Sequence, residues 1–342
     1  MGKIWRLLLL FALFVLLGSV SCLAFECHVL NVGQGQSVLI ESDGHYMLID
    51  GGGRDASSFV VSYLSGIEKL DCIAVTHYDE DHYAGIIGIL NTIPCDIFIA
   101  PSYAGEGDLH ESLAAAALSN GCTIVHGKSG MAFEVGDADV EIVGPNRFDY
   151  PSDNDRSLCF RAGYGETHFL ICGDAEQDAE RDMVLSGVEI SSDVYVVNHH
   201  GSLTSSMDAF LDTVNPGYAV ISCGKDNGYG HPDMETLQRL QNHGISMFRT
   251  DEQGTIIAHS DGYAIWFDQE PSDNWIAGIE RSIPIEDETQ ECKYVCNTNT
   301  KKFHYPGCKS VNQMKEENRL FTSLTREELL MEGYEPCGNC NP

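Results

Sequence analysis

Positive charge is what this chain has least of. Twenty lysines and arginines stand against 51 aspartates and glutamates in 342 residues, a formal charge of −31. So acidic a surface repels phosphate backbones and excludes a broad basic nucleic-acid-binding face. Any nucleic acid has to be held locally, by metal or by a confined patch. Long apolar runs are scarce too: the one from Leu7 to Leu17 is about eleven residues, against roughly 20 for a membrane-spanning helix. No short-period repeat occurs, which excludes a solenoid. The 43% hydrophobic and 21% charged content is ordinary globular composition, sized for one large domain and a small one.

Lys3 and Arg6 precede the Leu7–Leu17 run, and small residues follow at Ser19, Ser21 and Ala24. This is the pattern of an export signal over residues 1–24, so the mature protein is expected to be secreted or otherwise extracytoplasmic. Cys22 follows Ser19-Val20-Ser21, where a lipobox calls for a large aliphatic residue in place of Ser19. A membrane enters only if Cys22 is lipidated, which is the lipoprotein alternative. Of the 13 cysteines, Cys27, Cys72, Cys95, Cys122, Cys159, Cys172 and Cys223 sit singly in or beside apolar runs and read as buried small hydrophobes. Cys292, Cys296, Cys308, Cys337 and Cys340 crowd into the last fifty or so residues, a metal pattern more than a core one.

Between these ends, short alternating strands and helical patterns succeed one another in two strand-rich halves. They predict two sheets between helix layers, an α+β class, over residues 25–268. Gly173-Asp174 reads as a helix start, with Asp174 and Gln177 at capping-box spacing. Residues 269–291 are acidic and carry Pro271 and Pro284, which reads as a linker to a separate module over 292–342.

The chemistry gathers at His77-Tyr78-Asp79-Glu80-Asp81-His82, between an apolar strand (Cys72–Val75) and a helix predicted over Tyr83–Leu90. Two imidazoles and two carboxylates in six residues can face one point where the backbone turns sharply, and that donor set suits Zn²⁺, Mn²⁺ or Fe²⁺. Two further strand ends carry Gly173-Asp174 and His199-His200-Gly201-Ser202, and a Gly-rich loop between a strand and a helix carries Gly230-His231-Pro232. Ligands arriving from separate strand ends meet at one rim of a layered fold.

These segments, in this order, resemble the metallo-β-lactamase superfamily, and within it the hydrolase domain of ComEC-type competence proteins. Also in family order are His28–Ser37, Leu48–Gly52 and Asn154–Leu158. The resemblance implies an αββα sandwich and a pair of divalent metals, Zn²⁺ or Mn²⁺. It implies His77 and Asp79 on the first metal, Asp81, His82 and His231 on the second, and Asp174 bridging. Asp155 stands where a further oxygen ligand is expected, and Asp50 where a residue orients a ligand histidine from behind. The implied reaction is phosphodiester hydrolysis by a hydroxide held between the metals, with Asp81, His199 and His200 as the catalytic set. Asn31 and Gln36 stand where relatives often carry Asp, and are expected to support the site.

Phe303–Cys308 is followed by Cys337-Gly338-Asn339-Cys340, with a helix predicted over Thr325–Glu332. Paired knuckles of this kind read as a structural tetrahedral zinc site of His304, Cys308, Cys337 and Cys340, since so short a module buries little core. The segment resembles the zinc-binding module of Ada-type DNA-repair proteins. Two disulfides that also use Cys292 and Cys296 are the alternative. The leading expectation is a secreted DNase, with DNA as partner. Hydrolysis of a small ester, thioester or lactam stands as a second reading, and a non-catalytic DNA-binding surface protein as a third.

Overall fold

A computed structural model describes residues 25–278, 294–306, 308–315, 318–322, 326–331, 333–340 and 342. The expected export signal, Cys22, Cys292 and most of the expected linker lie outside the described residues. The chain divides into two compact units at 279/280.

In the larger unit, a first sheet is built of β1 (Phe25–Val29), β2 (Val38–Ser42), β3 (His45–Ile49), β4 (Leu70–Ala74), β5 (Cys95–Pro101) and β6 (Thr123–Gly127). A second takes β7 (Ala132–Val135), β8 (Ala138–Gly144), β9 (Cys159–Tyr164), β10 (Thr167–Ile171), β11 (Val194–Val196), β12 (Tyr218–Ile221) and β13 (Ser246–Arg249). Strands β14 (Ile256–Ser260) and β15 (Ile265–Phe267) return to the first sheet, in the order β15-β14-β1-β2-β3-β4-β5-β6.

Period-two alternation places the layers. Met47 and Ile49 of β3 face the core between the sheets, whereas Leu48 faces outward with Leu39 and Ile73. There they meet Val60, Ile86, Ile89 and Ala117 of the helices Ser57–Tyr63, Glu80–Leu90 and Gly107–Asn120. In the second sheet Phe169 and Ile171 face inward. Leu170 and Tyr195 pack outward against Met183, Phe210 and Leu237 of the helices Gln177–Ser186, Asp208–Val214 and Met234–Asn242. The architecture is the expected α+β sandwich of two sheets between helix layers.

Three expectations need correction. The helix after the His/Asp motif begins at Glu80, so Asp81 and His82 sit in its first turn rather than in the loop before it. The helix after Asp174 begins at Gln177 and is not capped by Asp174. Asp155 Oδ1 accepts from the backbone N–H of Glu176 and Ala179, each at 3.0 Å, because the short helical turn Asn154–Arg156 lies against that helix start. Finally, residues 269–278 belong to the large unit. Ser272 N–H donates to Met247 O, Arg249 Nη1 to Ile276 O, and Gly278 N–H to Pro232 O.

The smaller unit has a four-stranded sheet of β16 (Tyr294–Asn297), β17 (Lys302–His304), β18 (Arg319–Thr322) and β19 (Glu335–Pro336), in the order β18-β16-β17-β19. The expected helix is present as Arg326–Met331.

Candidate metal centre and cleft

Parallel pairing aligns the strand ends that carry the site. β3 to β6 are parallel, as are β10 to β13. His77 therefore follows β4 at the rim where Asp174 follows β10 and the His199-His200 pair follows β11. Backbone bonds tie these ends together: Leu158 N–H to Thr76 O at 2.9 Å, His199 N–H to Gly173 O at 3.0 Å, and Gln36 N–H to Asp81 O at 3.1 Å. Gly35, at φ 137°, lies so close to the Asp81 carbonyl that a Cβ would collide with it. His199 (φ 50°), His200 (φ 56°) and Gly201 (φ 84°) are three successive left-handed residues. Strain of this kind gathers at functional sites, and here it turns the adjacent imidazoles in different directions.

Asp174, buried at the centre, divides its oxygens. Oδ1 lies 3.0 Å from His82 Nε2 and 3.5 Å from His200 Nε2; Oδ2 lies 3.9 Å from His77 Nε2 and 3.7 Å from His199 Nε2. Asp81 Oδ2 is 3.4 Å from His200 Nε2. Two groups of candidate ligand atoms result, His77–His82–Asp174 and Asp81–His82–His200, each with all atoms within 4.8 Å of one another.

The far side of each ring decides what its near side offers. Asp50 Oδ2 accepts from His82 Nδ1 at 2.8 Å, so His82 Nε2 carries a lone pair. The Ser222 carbonyl accepts from His200 Nδ1 at 2.8 Å, so His200 Nε2 does too. Thr76 Oγ1 donates its one proton to Asp50 Oδ2 at 2.7 Å, which leaves it to accept from His77 Nδ1 at 3.1 Å. His77 Nε2 is then a buried acceptor with no hydrogen-bond partner, as is Asp174 Oδ1. The Nε2 atoms of His82 and His200 lie 3.3 Å apart with lone pairs turned toward each other and toward two carboxylates. Such an arrangement calls for positive charge between them, so these residues fit divalent metal.

Without metal, protons answer the same demand. Burial opposes charge on His82, but the Asp174 and Asp50 carboxylates outweigh it and hold the imidazole well above its usual value. His200 is likewise raised to about 9, against burial, by Asp174 and Asp81. Asp174 stays well below the usual carboxylate range although burial would raise it, because His200 and His82 face it.

Asp79 lies beside His77, Oδ2 to Nε2 3.6 Å, with its side chain 51% exposed, and joins neither group. His231, expected as a ligand, also joins neither group. Its Nδ1 faces Gln34 Nε2 at 3.5 Å and its Nε2 is 3.9 Å from Asp233, while His200 occupies the place beside Asp81 and Asp174. Asp155, expected to offer an oxygen, joins neither group, and its Oδ1 accepts from the helix start. Asp50 and Gln36 do support the site: Gln36 Nε2 donates to Asp50 Oδ2 at 3.0 Å. Sequence reasoning missed Ser222 and Glu176. Ser222 acts through its carbonyl, on which residue type leaves no mark; Glu176, whose Oε1 is 3.2 Å from His199 Nδ1, was one carboxylate among many. Beside Asp81 opens a cleft of about 550 Å³ lined by Gln34, Gly53, Arg54, Asp55, Glu80 and Tyr229.

In the small unit, ligand atoms of His304, Cys308, Cys337 and Cys340 all lie within 4.8 Å of one another. His304 Nδ1 is buried without a partner, and hydrogen bonding with His304 pulls the Cys308 thiol down to about 6. Cys296 lies in a core with Phe303, Leu329 and Tyr334, whereas Cys308, Cys337 and Cys340 gather around Val295, Val311 and Met314. The arrangement fits one metal ion.

The profile described as the Metallo-beta-lactamase superfamily matches residues 30–225. ComE operon protein 3 of Bacillus subtilis is 30% identical over 257 residues, which are 69% of this chain and 33% of that protein. Competence protein ComA of Neisseria gonorrhoeae is 32% identical over 232 residues, 67% of this chain and 31% of that one. Recombination protein 2 of Haemophilus influenzae is 28% identical over 239 residues, 68% of this chain and 28% of that one. The chain thus spans about a third or less of the length of these relatives.

Proposed function

This chain belongs to the metallo-β-lactamase superfamily, and from that premise we propose that it is a metal-dependent phosphodiesterase that cleaves nucleic acid, DNA foremost. The carrying observation is the convergence of the lone pairs of His77, His82 and His200 on the two oxygens of Asp174. The competence and recombination names of its relatives support nucleic acid as substrate.

In this reading His77, His82, Asp81, His200 and Asp174 would hold divalent cations, with Asp79 beside His77. When bound, divalent metal supplies Lewis-acid charge for the phosphate oxygens and an acidified water. The chain does the rest. Asp50, Thr76 and the Ser222 carbonyl fix each imidazole in the tautomer that presents Nε2 inward. His199, held by Glu176 at Nδ1, would present Nε2 to the substrate as the group that hydrogen-bonds the leaving side of the phosphate. His231 exchanges roles with His200. It is a rim residue whose pKa is lowered to about 4 by burial first and then by the neighbouring His200 and His199, and it hydrogen-bonds the substrate.

The small unit holds a structural zinc at His304, Cys308, Cys337 and Cys340, offsetting its small core. The basic and apolar start of the chain supports export, and secretion belongs to the same proposal.

The test is hydrolysis of single- and double-stranded DNA with Mn²⁺ or Zn²⁺, wild type beside Asp174→Ala. Wild-type cleavage, lost together with main-unit metal in Asp174→Ala, is expected; metal-replete wild type that cleaves neither strand form refutes the reading. Asp55 and Glu80 in the cleft favour a small ester, thioester or lactam as the second reading, because they repel a polyanion. Turnover of a chromogenic β-lactam or thioester with DNA left intact would decide for it.

A further inference from the structure

The cleft beside Asp81 poses a problem for a nucleic-acid substrate. Among its lining residues Arg54 is the one cation, against Asp55, Glu80 and Asp81. Arg54 is spread thin as well, 4.0 Å from Glu80 with both side chains largely exposed. Basic side chains therefore supply little phosphate affinity in the cleft, and beyond the metal centre some other contact has to hold the strand.

Tyr229 offers one. It is 69% exposed, yet its ring lies flat on His231, centroids 5.7 Å apart and planes 22° from parallel. His231 in turn stacks toward His200, at 6.2 Å and 26°, so the outer face of Tyr229 lies two rings from the metal-ligand set. The loop that carries these rings is pinned by buried Asn227. Its Nδ2 donates to Gly224 O at 2.8 Å and His231 O at 2.6 Å, and its Oδ1 accepts from the N–H of Tyr229 and of His231 at 3.1 Å. A large aromatic held flat on a rigid loop loses little conformational freedom when a second ring lands on it.

Resting on the phosphodiesterase reading, we propose that Tyr229 is a nucleobase-stacking subsite, and that the substrate is single-stranded nucleic acid whose base next to the scissile phosphate stacks on it. A paired base in a duplex hides its face between neighbours and has to be unstacked first, whereas an unpaired one is free to stack on an aromatic. Stacking tolerates any base, so affinity is sequence-independent and, with one cation in the cleft, only weakly salt-dependent. Tyr229 is a positioning residue; it moves no proton.

The experiment uses the full chain reconstituted with Mn²⁺. KM and kcat are measured for an oligothymidylate and for a strand of equal length built of abasic tetrahydrofuran units, in wild type, Tyr229→Ala and Tyr229→Trp. Tyr229→Ala is expected to raise KM for oligothymidylate on the order of tenfold, to change kcat much less, and to leave the abasic strand unaffected; Tyr229→Trp restores KM. Equal KM for the two strands in wild type, or an unchanged KM in Tyr229→Ala, overturns the subsite and leaves the hydrolase reading standing. If wild type cleaves no strand, the hydrolase reading falls and the subsite is judged by binding alone. Quenching of a 2-aminopurine oligonucleotide by wild type but not by Tyr229→Ala then upholds it, and no quenching, or equal quenching, overturns it.

Discussion

Replacing Asp50 with asparagine changes no metal ligand, yet the structure requires it to weaken the centre. Asp50 is fully buried and accepts four hydrogen bonds: Thr76 N–H at 2.8 Å on Oδ1, and Thr76 Oγ1 at 2.7 Å, His82 Nδ1 at 2.8 Å and Gln36 Nε2 at 3.0 Å on Oδ2. Asparagine has one acceptor atom. Its least costly placement puts the carbonyl at the Oδ2 position and the NH₂ against Thr76 N–H, so one buried donor loses its partner. That costs about 1–3 kcal/mol, and the surviving bonds lose their charge assistance. Backbone strain adds nothing, because asparagine tolerates the φ of 59° found there. At about 2–4 °C per kcal/mol for a domain of this size, the melting temperature should fall by roughly 2–12 °C. His82, facing a neutral amide, becomes a poorer ligand, and metal affinity should drop about 10–100-fold. Calorimetry, and metal content after dialysis against a graded chelator, measure the two effects. An Asp50→Asn protein that melts with wild type and retains metal equally well would refute the claim that Asp50 sets the His82 tautomer.

Two further outcomes follow from other parts of the molecule. Glu180 is fully buried, and burial lifts its carboxyl to about 7 against hydrogen bonds from Met207 N–H, Ser206 N–H and Asn198 Nδ2. The folded state then holds this proton more tightly than the unfolded one. Its contribution is complete below the unfolded carboxyl pKa near 4.5, is lost as pH rises toward 7, and amounts to on the order of 3 kcal/mol. Glu180→Gln should flatten the denaturation midpoint between those pH values, and an unchanged slope would count against the buried proton. In the small unit, Cys308→Ser should lower zinc content by one equivalent and expose residues 294–342 to protease while 25–278 stay resistant; undiminished zinc would refute the His304 site.

Much of this was legible in residue order. The succession of strand and helix patterns over residues 25–268 already implies two sheets between helix layers. The grouping of His77, Asp81, His82 and Asp174 follows from polar residues standing at the ends of apolar strands, since parallel strands end on one rim. The His304, Cys308, Cys337 and Cys340 cluster was legible for a similar reason: paired ligands at short spacing have few ways to meet. Asp155 was not legible, because its bond to the N–H groups of Glu176 and Ala179 joins segments that pair only after the second sheet forms.

The different surroundings of His200 and His231 mark the boundary most clearly. Both follow strands, both neighbour glycine, and spacing treats them alike. Residue types and their order alone determined that metal-binding chemistry sits on the rim of a two-sheet sandwich, because hydrophobic periodicity and strand-end polarity are local properties. What stands behind each histidine ring was decided only by tertiary structure. The Ser222 carbonyl, arriving from β12, takes the Nδ1 proton of His200, while His231 is left to face Gln34 across the cleft. A tautomer depends on what lies behind the ring, and that neighbour comes from a distant stretch of chain.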